Sequence, residues 1–263
     1  PHPIHVLRFN AAQDLERLDR IIDTLASDPP DVIYAYGTTV TKAVLARFKK
    51  VPVVFNIVNR PVRSGIIQSW ENSGNNATGA SNQISVKNQL STLKKVVDFK
   101  RLGVIYNPLE QNSSIQRDIA KTLESEFGFE LFDFKVDCSR RAREVIRQLK
   151  NQVDAVFIPA DTMMVVHGTE LGRQLIEYQL PAMGSLSVMV TEHGVLLGLV
   201  PDYFQLGLLA ASKIRQILDG KRPDQIPSSR LRFFDLYVNM KTARAMDVQV
   251  PMGVLVMSNT IVR

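Results

Sequence analysis

The sequence is poor in the residues that carry covalent chemistry. Its 263 residues include one cysteine, Cys138, and four histidines. A single cysteine excludes an internal disulfide. The histidines, at positions 2, 5, 167 and 193, lack the spacing of a metal site, and no phosphate-binding, dinucleotide-binding or serine-hydrolase motif occurs. We therefore expect a protein that is not an enzyme and that carries no cofactor and no metal.

The sequence also lacks long apolar runs and blocks of like charge. No run reaches the roughly 18 apolar residues of a membrane span, and Pro1-His2-Pro3 has no signal-peptide pattern, although removal of a signal would leave the same sequence. The net charge is +6, yet the basic residues occur only in pairs such as Lys49-Lys50 and Arg140-Arg141. Dispersed charge is typical of a solvated surface, so we expect no nucleic-acid partner and no direct membrane span.

What the sequence does contain is an alternation of strand and helix patterns in two successive series. The first series begins with a predicted strand at Ile4–Phe9 and a helix at Asp14–Ala26; the second begins with the strand that ends at Tyr106. A late strand is predicted at Leu231–Val238. Alternation of this kind predicts parallel sheets covered by helices, and two series predict two α/β lobes.

Small polar residues follow several of the predicted strands. In Gly103–Ser114 an apolar strand ends at Asn107-Pro108 and a helix follows, with Ser113 or Ser114 as its predicted N-cap. Open α/β sheets bind ligands beyond the carboxyl ends of their strands, where a helix N-terminus offers N–H groups to an anion. The candidate ligand-binding residues at these strand ends are Thr38, Thr39, Asn59, Asn107, Glu110, Asn112, Ser113, Asp161, Thr162, Ser185 and Asp202. The alternative interpretation is that they are ordinary turn and capping residues.

Taken together, these turns resemble those of the substrate-binding proteins of bacterial ABC importers, some of which bind aromatic amino acids. The resemblance extends over nearly the whole chain and depends on Gly37-Thr38-Thr39, Gly74–Gly79, Tyr106-Asn107-Pro108, Pro159–Thr162 and Asp202-Tyr203. It implies a type I periplasmic-binding-protein fold, α/β with two doubly wound parallel-sheet lobes joined by a hinge. The lobes would be residues 1–82 plus 201–231 and residues 83–200 plus 232–263, with ligand in the cleft between them and closure of the hinge on binding.

The chain departs from the family pattern in two places. Asn59-Arg60 stand where the family usually has an aspartate before the pair Pro61-Val62, which bears on ligand preference. Family members also begin with a further strand and helix, whereas this chain is expected to start at the second strand, so that the first βα unit is missing.

By this resemblance the protein is expected to be a solute-binding protein that is periplasmic or extracytoplasmic, with or without a lipid anchor. It would present an amino acid or related ligand to the membrane permease of an ABC importer or to a signalling partner. The alternative with the same fold is the ligand-sensing domain of a signalling or regulatory protein. Glu110, Asp161 or Asp202 would hold an amino acid's ammonium, and N–H groups at the Ser113 helix start its carboxylate. A phosphate or sugar is the alternative ligand.

Overall fold

The structure, a computed structural model, describes residues 4–12, 14–232 and 234–263. Up to residue 128 its elements are α1 (Leu15–Ser27), β1 (Ile33–Tyr36), α2 (Thr38–Arg47), β2 (Val53–Asn56), β3 (Ala77–Ser81), α3 (Val86–Lys94), β4 (Arg101–Tyr106), α4 (Gln111–Thr122) and α5 (Glu124–Phe127). From residue 129 they are β5 (Glu130–Lys135), α6 (Ser139–Leu149), β6 (Ala155–Ile158), α7 (Thr162–Val166), α8 (Gly168–Glu177), β7 (Ala182–Gly184), α9 (Ser187–Thr191), β8 (Leu197–Pro201), α10 (Tyr203–Leu218), a 3₁₀ turn (Pro223–Gln225), β9 (Ser229–Arg230), β10 (Phe234–Asn239), α11 (Met240–Ala245), α12 (Met252–Val256) and β11 (Thr260–Val262). In these described ranges, no helix is both long and apolar enough to cross a bilayer.

The chain divides into two compact units, each built from two separate stretches. One unit consists of Pro1–Gln83 and Asp202–Arg232, and the other of Ile84–Pro201 and Phe233–Arg263. The first contains a four-stranded sheet and the second a seven-stranded sheet. The α/β class with parallel sheets, expected from the alternation of elements, is confirmed.

In the smaller sheet the strand order is β1-β2-β3-β9, and all neighbouring strands are parallel. One face packs against α1 and α2, where Val53 and Phe55 are fully buried. The opposite face carries Val54, which packs against Ala210 and Ile217 of α10. Burial on both faces explains why β2 reads as a continuous apolar run rather than an alternation.

In the larger sheet the strand order is β11-β10-β8-β7-β6-β4-β5. All neighbours are parallel except β10, which runs antiparallel to β8. Two hydrophobic clusters lie on the sheet: one includes Val104 and Phe157, and the other includes Ile105, Ile146 and Leu149 of β4 and α6. The chain passes from β4 to β5 on one side and then to β6 on the other. The strand order therefore reverses at β4, which is the arrangement of a doubly wound fold.

The predicted strand at Ile4–Phe9 is wrong. Residues 4–10 have no regular secondary structure, and Ile4, Val6, Leu7 and Phe9 are exposed. A strand needs a neighbour to pair its N–H and C=O groups, and β1, at the edge of its sheet, pairs with β2 alone among the described residues. The apolar alternation of this segment could not indicate whether a neighbouring strand was present.

The helix predicted at Asp14–Ala26 and the strand predicted to end at Tyr106 agree with α1 and β4 to within a few residues. The late strand predicted from Leu231 begins at Phe234 and ends at Asn239, while Phe233 and the segment Pro1-His2-Pro3 lie outside the described residues. Five elements of five residues or fewer were not predicted from the sequence: α7, α9, α12, β9 and β11. Such short elements contain too few residues to establish a period.

Two helical glycines lead to opposite predictions for stability. A Cβ atom on Gly172 in α8 would collide with the backbone carbonyl oxygen of His193, whereas one on Gly207 in α10 would meet nothing within 4 Å. We expect Gly172→Ala to lower the free energy of unfolding by about 1–3 kcal/mol through overpacking. Gly207→Ala should raise it by about 0.5–1 kcal/mol, because alanine loses less backbone entropy in a helix. Urea denaturation of both variants measures the difference, and a neutral Gly172→Ala would contradict the close approach of α8 to His193.

Candidate functional site

The carboxyl ends of β4 and β6 bring two of the predicted polar loops side by side. These strands are parallel neighbours, with Val104 of β4 opposite Phe157 of β6. Beyond them lie the loop that connects β4 to α4 and the turn that connects β6 to α7. Because the strand order reverses here, the two connections leave toward opposite faces of the sheet. A crevice outside the strand ends at such a point is the usual ligand site of an open α/β sheet.

Two hydrogen bonds connect these loops. The Nδ2 of Asn112 donates to the carbonyl oxygen of Ala160 at 3.1 Å, and the backbone N–H of Thr162 donates to Oε2 of Glu110 at 3.1 Å. The start of α4 therefore reaches the turn after β6. Of the candidate residues, the structure brings Glu110, Asn112, Asp161 and Thr162 together at this edge of the sheet.

The loop after β4 is held by its own polar groups. The Oδ1 of Asn107 accepts from the N–H of Leu109 at 2.9 Å, and the N–H of Asn107 donates to Oγ of Ser113 at 3.0 Å. Both side chains are buried, and Ser113 is fully so. They give the loop its shape and leave the neighbouring side chains to face outward.

The predicted N-cap at Ser113 or Ser114 is wrong. The helix α4 begins at Gln111, with Glu110 as the N-cap residue, and Glu110 makes no side-chain capping hydrogen bond. The hydroxyl of Ser113 accepts instead from Asn107, which places Ser113 inside the first turn. Capping preference alone could not reveal this competing partner.

Glu110 and Asp161 form a pair of carboxyl groups at the centre of the site. Asp161 is 2% exposed. Its Oδ1 caps α7 by accepting a hydrogen bond from the N–H of Met164 at 3.1 Å. Its Oδ2 is buried without a hydrogen-bond donor. Burial raises the pKa of Glu110; the N–H of Thr162 lowers that pKa, and the nearby charge of Asp161 raises it. In the part of the chain that the structure describes, neither carboxyl group has a lysine or arginine within ion-pair distance.

A chain of buried amide and hydroxyl groups extends from Asn112 into the unit. Gln116 Nε2 donates to Asn112 Oδ1 at 3.2 Å. Ser185 Oγ donates to the carbonyl oxygen of Ile158 at 3.1 Å, lies 3.4 Å from Gln116 Oε1, and accepts from Gln89 Nε2 at 2.9 Å. Ser185, a predicted site residue, thus lies inside this chain.

Gln89 and Gln116 are not among the candidate residues predicted from the sequence. Gln89 is fully buried and stands three residues after Val86 on the apolar side of α3, and Gln116 follows the buried Ile115 of α4. A long polar side chain at a core position of a helix was the available signal, because such a group needs a buried partner.

The remaining candidate residues belong to the other unit. Thr38 and Thr39 are the first two residues of α2, and the N-cap residue Gly37 has no side chain to cap that helix. Asn59 is half-buried in the loop after β2. Asp202 caps α10, where its Oδ1 accepts from the N–H groups of residues 204 and 205, both at 3.0 Å. The N–H groups of the first turn of α2 therefore have no side-chain cap at Gly37, whereas Asp202 caps the first turn of α10.

The comparisons with known proteins agree with this architecture. Residues 4–262 match the family model described as ABC transporter substrate binding protein. The tyrosine-binding protein of Clostridioides difficile (strain R20291) is 29% identical over 241 residues, which are 91% of this chain and 70% of that relative.

Two solved structures share the fold. The ABC domain of Streptococcus pneumoniae in complex with L-Trp has a TM-score of 0.86 at 21% identity, covering 97% of this chain and 86% of that one. The ligand-free, open structure of a substrate-binding protein with adhesive properties from Clostridium difficile has a TM-score of 0.81 at 26% identity, covering 97% and 85%.

The family match extends over nearly the whole described chain, and the relatives are binding proteins rather than enzymes. The expectations of a type I periplasmic-binding-protein fold and of a non-enzymatic protein are therefore confirmed. The chain belongs to the family of ABC transporter substrate-binding proteins.

Proposed function

We propose that this protein is the extracytoplasmic solute-binding component of an ABC importer and that its ligand is an amino acid or a closely related molecule. The observation that carries the proposal is the meeting of two polar loops at the strand reversal of the larger sheet. There Glu110 and Asn112 bond to the turn that contains Asp161. The tyrosine named for one relative and the L-Trp bound in another structure support an amino acid.

The chemistry of the candidate residues fits a zwitterion. Carboxylate oxygens of Glu110 and Asp161 accept hydrogen bonds from an ammonium group. An uncapped helix start, as at Thr38 and Thr39 of α2, offers N–H groups and a partial positive charge to a carboxylate. In the proposal, the loaded protein delivers its ligand to a membrane permease.

The ligand class can be tested with two panels. We expect L-tyrosine, L-tryptophan and related amino acids to bind in calorimetric titrations and to raise the thermal unfolding temperature. A ligand at 100 times its dissociation constant stabilises the native state by about 2.7 kcal/mol. Ribose, glucose and galactose serve as the matched panel of neutral ligands. Measurable binding to the sugars alone would contradict the amino-acid proposal.

Closure on ligand binding is a separate prediction. The two units have separate hydrophobic cores, so each can move as a body if the segments between them bend. Small-angle X-ray scattering should show a smaller radius of gyration in a saturating amino acid than without ligand, and no change in a sugar that does not bind. A radius that stays constant at saturation, with binding confirmed by calorimetry, would contradict closure while leaving the ligand class unchanged.

A further inference from the structure

The helix α6 separates an apolar side, which packs on the larger sheet, from an exposed side that is rich in arginine. Ala142, Val145, Ile146 and Leu149 are its buried residues. Every other position of the helix is exposed and polar, and the helix contains four arginines in 11 residues. The apolar side is already covered by the core, so any partner of α6 would meet the exposed side.

Four cations form a row along this exposed side. Arg140, Arg143 and Arg147 belong to the helix, and Lys150 is its C-cap residue. Successive members are three, four and three positions apart, and residues at these separations are neighbours on the surface of a helix. All four are exposed. We refer to these four residues as the α6 basic stripe, which extends over about 15 Å.

The protein does not neutralise the α6 basic stripe with its own carboxylates. Among the residues that the structure describes, none of the four cations forms an ion pair. The nearest acidic groups along the chain and on the neighbouring helix α8 are engaged elsewhere. Asp137 pairs with Arg141 at 3.1 Å, while Glu170 and Glu177 both pair with Arg173, at 2.7 and 2.8 Å.

One carboxylate lies on the exposed side of α6 itself. Glu144 stands four residues after Arg140 and three before Arg147, so it flanks the α6 basic stripe. It is exposed and forms no ion pair among the described residues. A single negative charge beside four positive charges leaves this surface cationic, in a chain whose net charge is +6.

The surface fits a fluid layer of anions better than a folded protein partner. Protein interfaces are organised around buried apolar or aromatic residues, and the exposed large apolar side chains of the described chain all lie outside α6. Long cationic side chains lose rotamer entropy when one fixed geometry is imposed on them. Lipid headgroups are mobile and can adjust to the cations. The ring of Tyr178, whose centroid is 4.9 Å from Nζ of Lys150, adds the type of side chain that is enriched at headgroup level.

A nucleic-acid duplex is a weaker match for this surface. Proteins that bind duplex DNA commonly make about 6–10 phosphate contacts, which is more than the four cations of the α6 basic stripe can supply. A bilayer does not require such a minimum, because each lysine or arginine near an anionic leaflet raises the binding constant about fivefold on its own.

We propose that the α6 basic stripe is a docking surface for the headgroups of anionic phospholipids, through which the larger unit binds peripherally to a bilayer. The contact is electrostatic and involves no insertion, since the apolar side of α6 remains in the core. This inference goes beyond the proposed function and can hold without it, because none of the four cations is a candidate ligand-binding residue.

The test measures binding of the whole chain to lipid vesicles by cosedimentation. Vesicles of phosphatidylcholine that contain phosphatidylglycerol are compared with vesicles of phosphatidylcholine alone. The test variant is Arg143→Gln/Arg147→Gln. The matched control is Arg17→Gln/Arg20→Gln, which removes two exposed arginines from α1 and lowers the net charge by the same amount. Thermal unfolding of each variant checks that these surface substitutions leave the fold intact.

We expect the wild type to bind the anionic vesicles and not the neutral ones. The test variant should bind about 20- to 30-fold more weakly, at about fivefold for each charge, whereas the control should bind as the wild type does. Binding should also decrease steeply with salt, because the Debye length falls from about 10 Å at about 0.1 M to about 3 Å at about 1 M.

A further variant changes binding in the opposite direction. Glu144→Gln removes the one carboxylate that flanks the α6 basic stripe and should strengthen binding to the anionic vesicles about fivefold. A general loss of folding cannot produce tighter binding, so this variant separates an electrostatic effect from a structural one. A Glu144→Gln protein that binds no more tightly than the wild type would contradict the inference.

Three other results would overturn it. The first is equal weakening by the test and control variants, which would show that net charge and not α6 is responsible. The second is an absence of binding to the anionic vesicles, or equal binding to the neutral ones. The third is preferential binding to a DNA duplex or to polyglutamate when either competes with the vesicles, which would assign the surface to a nucleic acid or to an acidic protein.

Discussion

The pairing of β4 with β5 on one side and β6 on the other is the constraint on which the candidate site depends. Parallel pairing aligns the carboxyl ends of β4 and β6 at one edge of the sheet. The reversal sends the following segments toward opposite faces of the sheet, and open α/β sheets usually bind their ligands at such a point. The hydrogen bonds from Asn112 to Ala160 and from Thr162 to Glu110 then join the two loops. Without the reversal these polar groups would be capping residues of two separate turns.

The site differs from the core beneath it in the kind of group that is buried. Inside the larger unit, central strand residues such as Val104 and Phe157 are fully buried among apolar neighbours. At the strand ends the buried groups are polar, and Asp161 retains an oxygen without a partner. A folded chain that buries an unpaired acceptor loses stability at that place, and a ligand that supplies the missing donor recovers it. The proposed binding function and the local loss of stability therefore share one physical cause.

Local sequence patterns were reliable where a single element determines the outcome. The helix predicted at Asp14–Ala26 is observed as α1 (Leu15–Ser27). Gly128 ends α5 in the left-handed conformation that glycine favours, at φ 64°. Local sequence patterns were unreliable where a contact with a distant part of the chain determines the local structure. Ile4–Phe9 has the composition of a strand but forms none. The hydroxyl of Ser113 accepts a hydrogen bond from the N–H of Asn107 and does not cap the helix.

The sequence by itself determined the α/β class, the approximate position of most helices and strands, and the polar character of the residues that follow the strands. These properties depend on periodicity and on turn chemistry, which act over a few neighbouring residues. Only the tertiary structure decided that Glu110 meets Thr162, 52 residues further along the chain, and that Gln89 belongs to the same polar chain as Ser185. Such contacts depend on strand order and register, and the same periodic pattern is compatible with many strand orders.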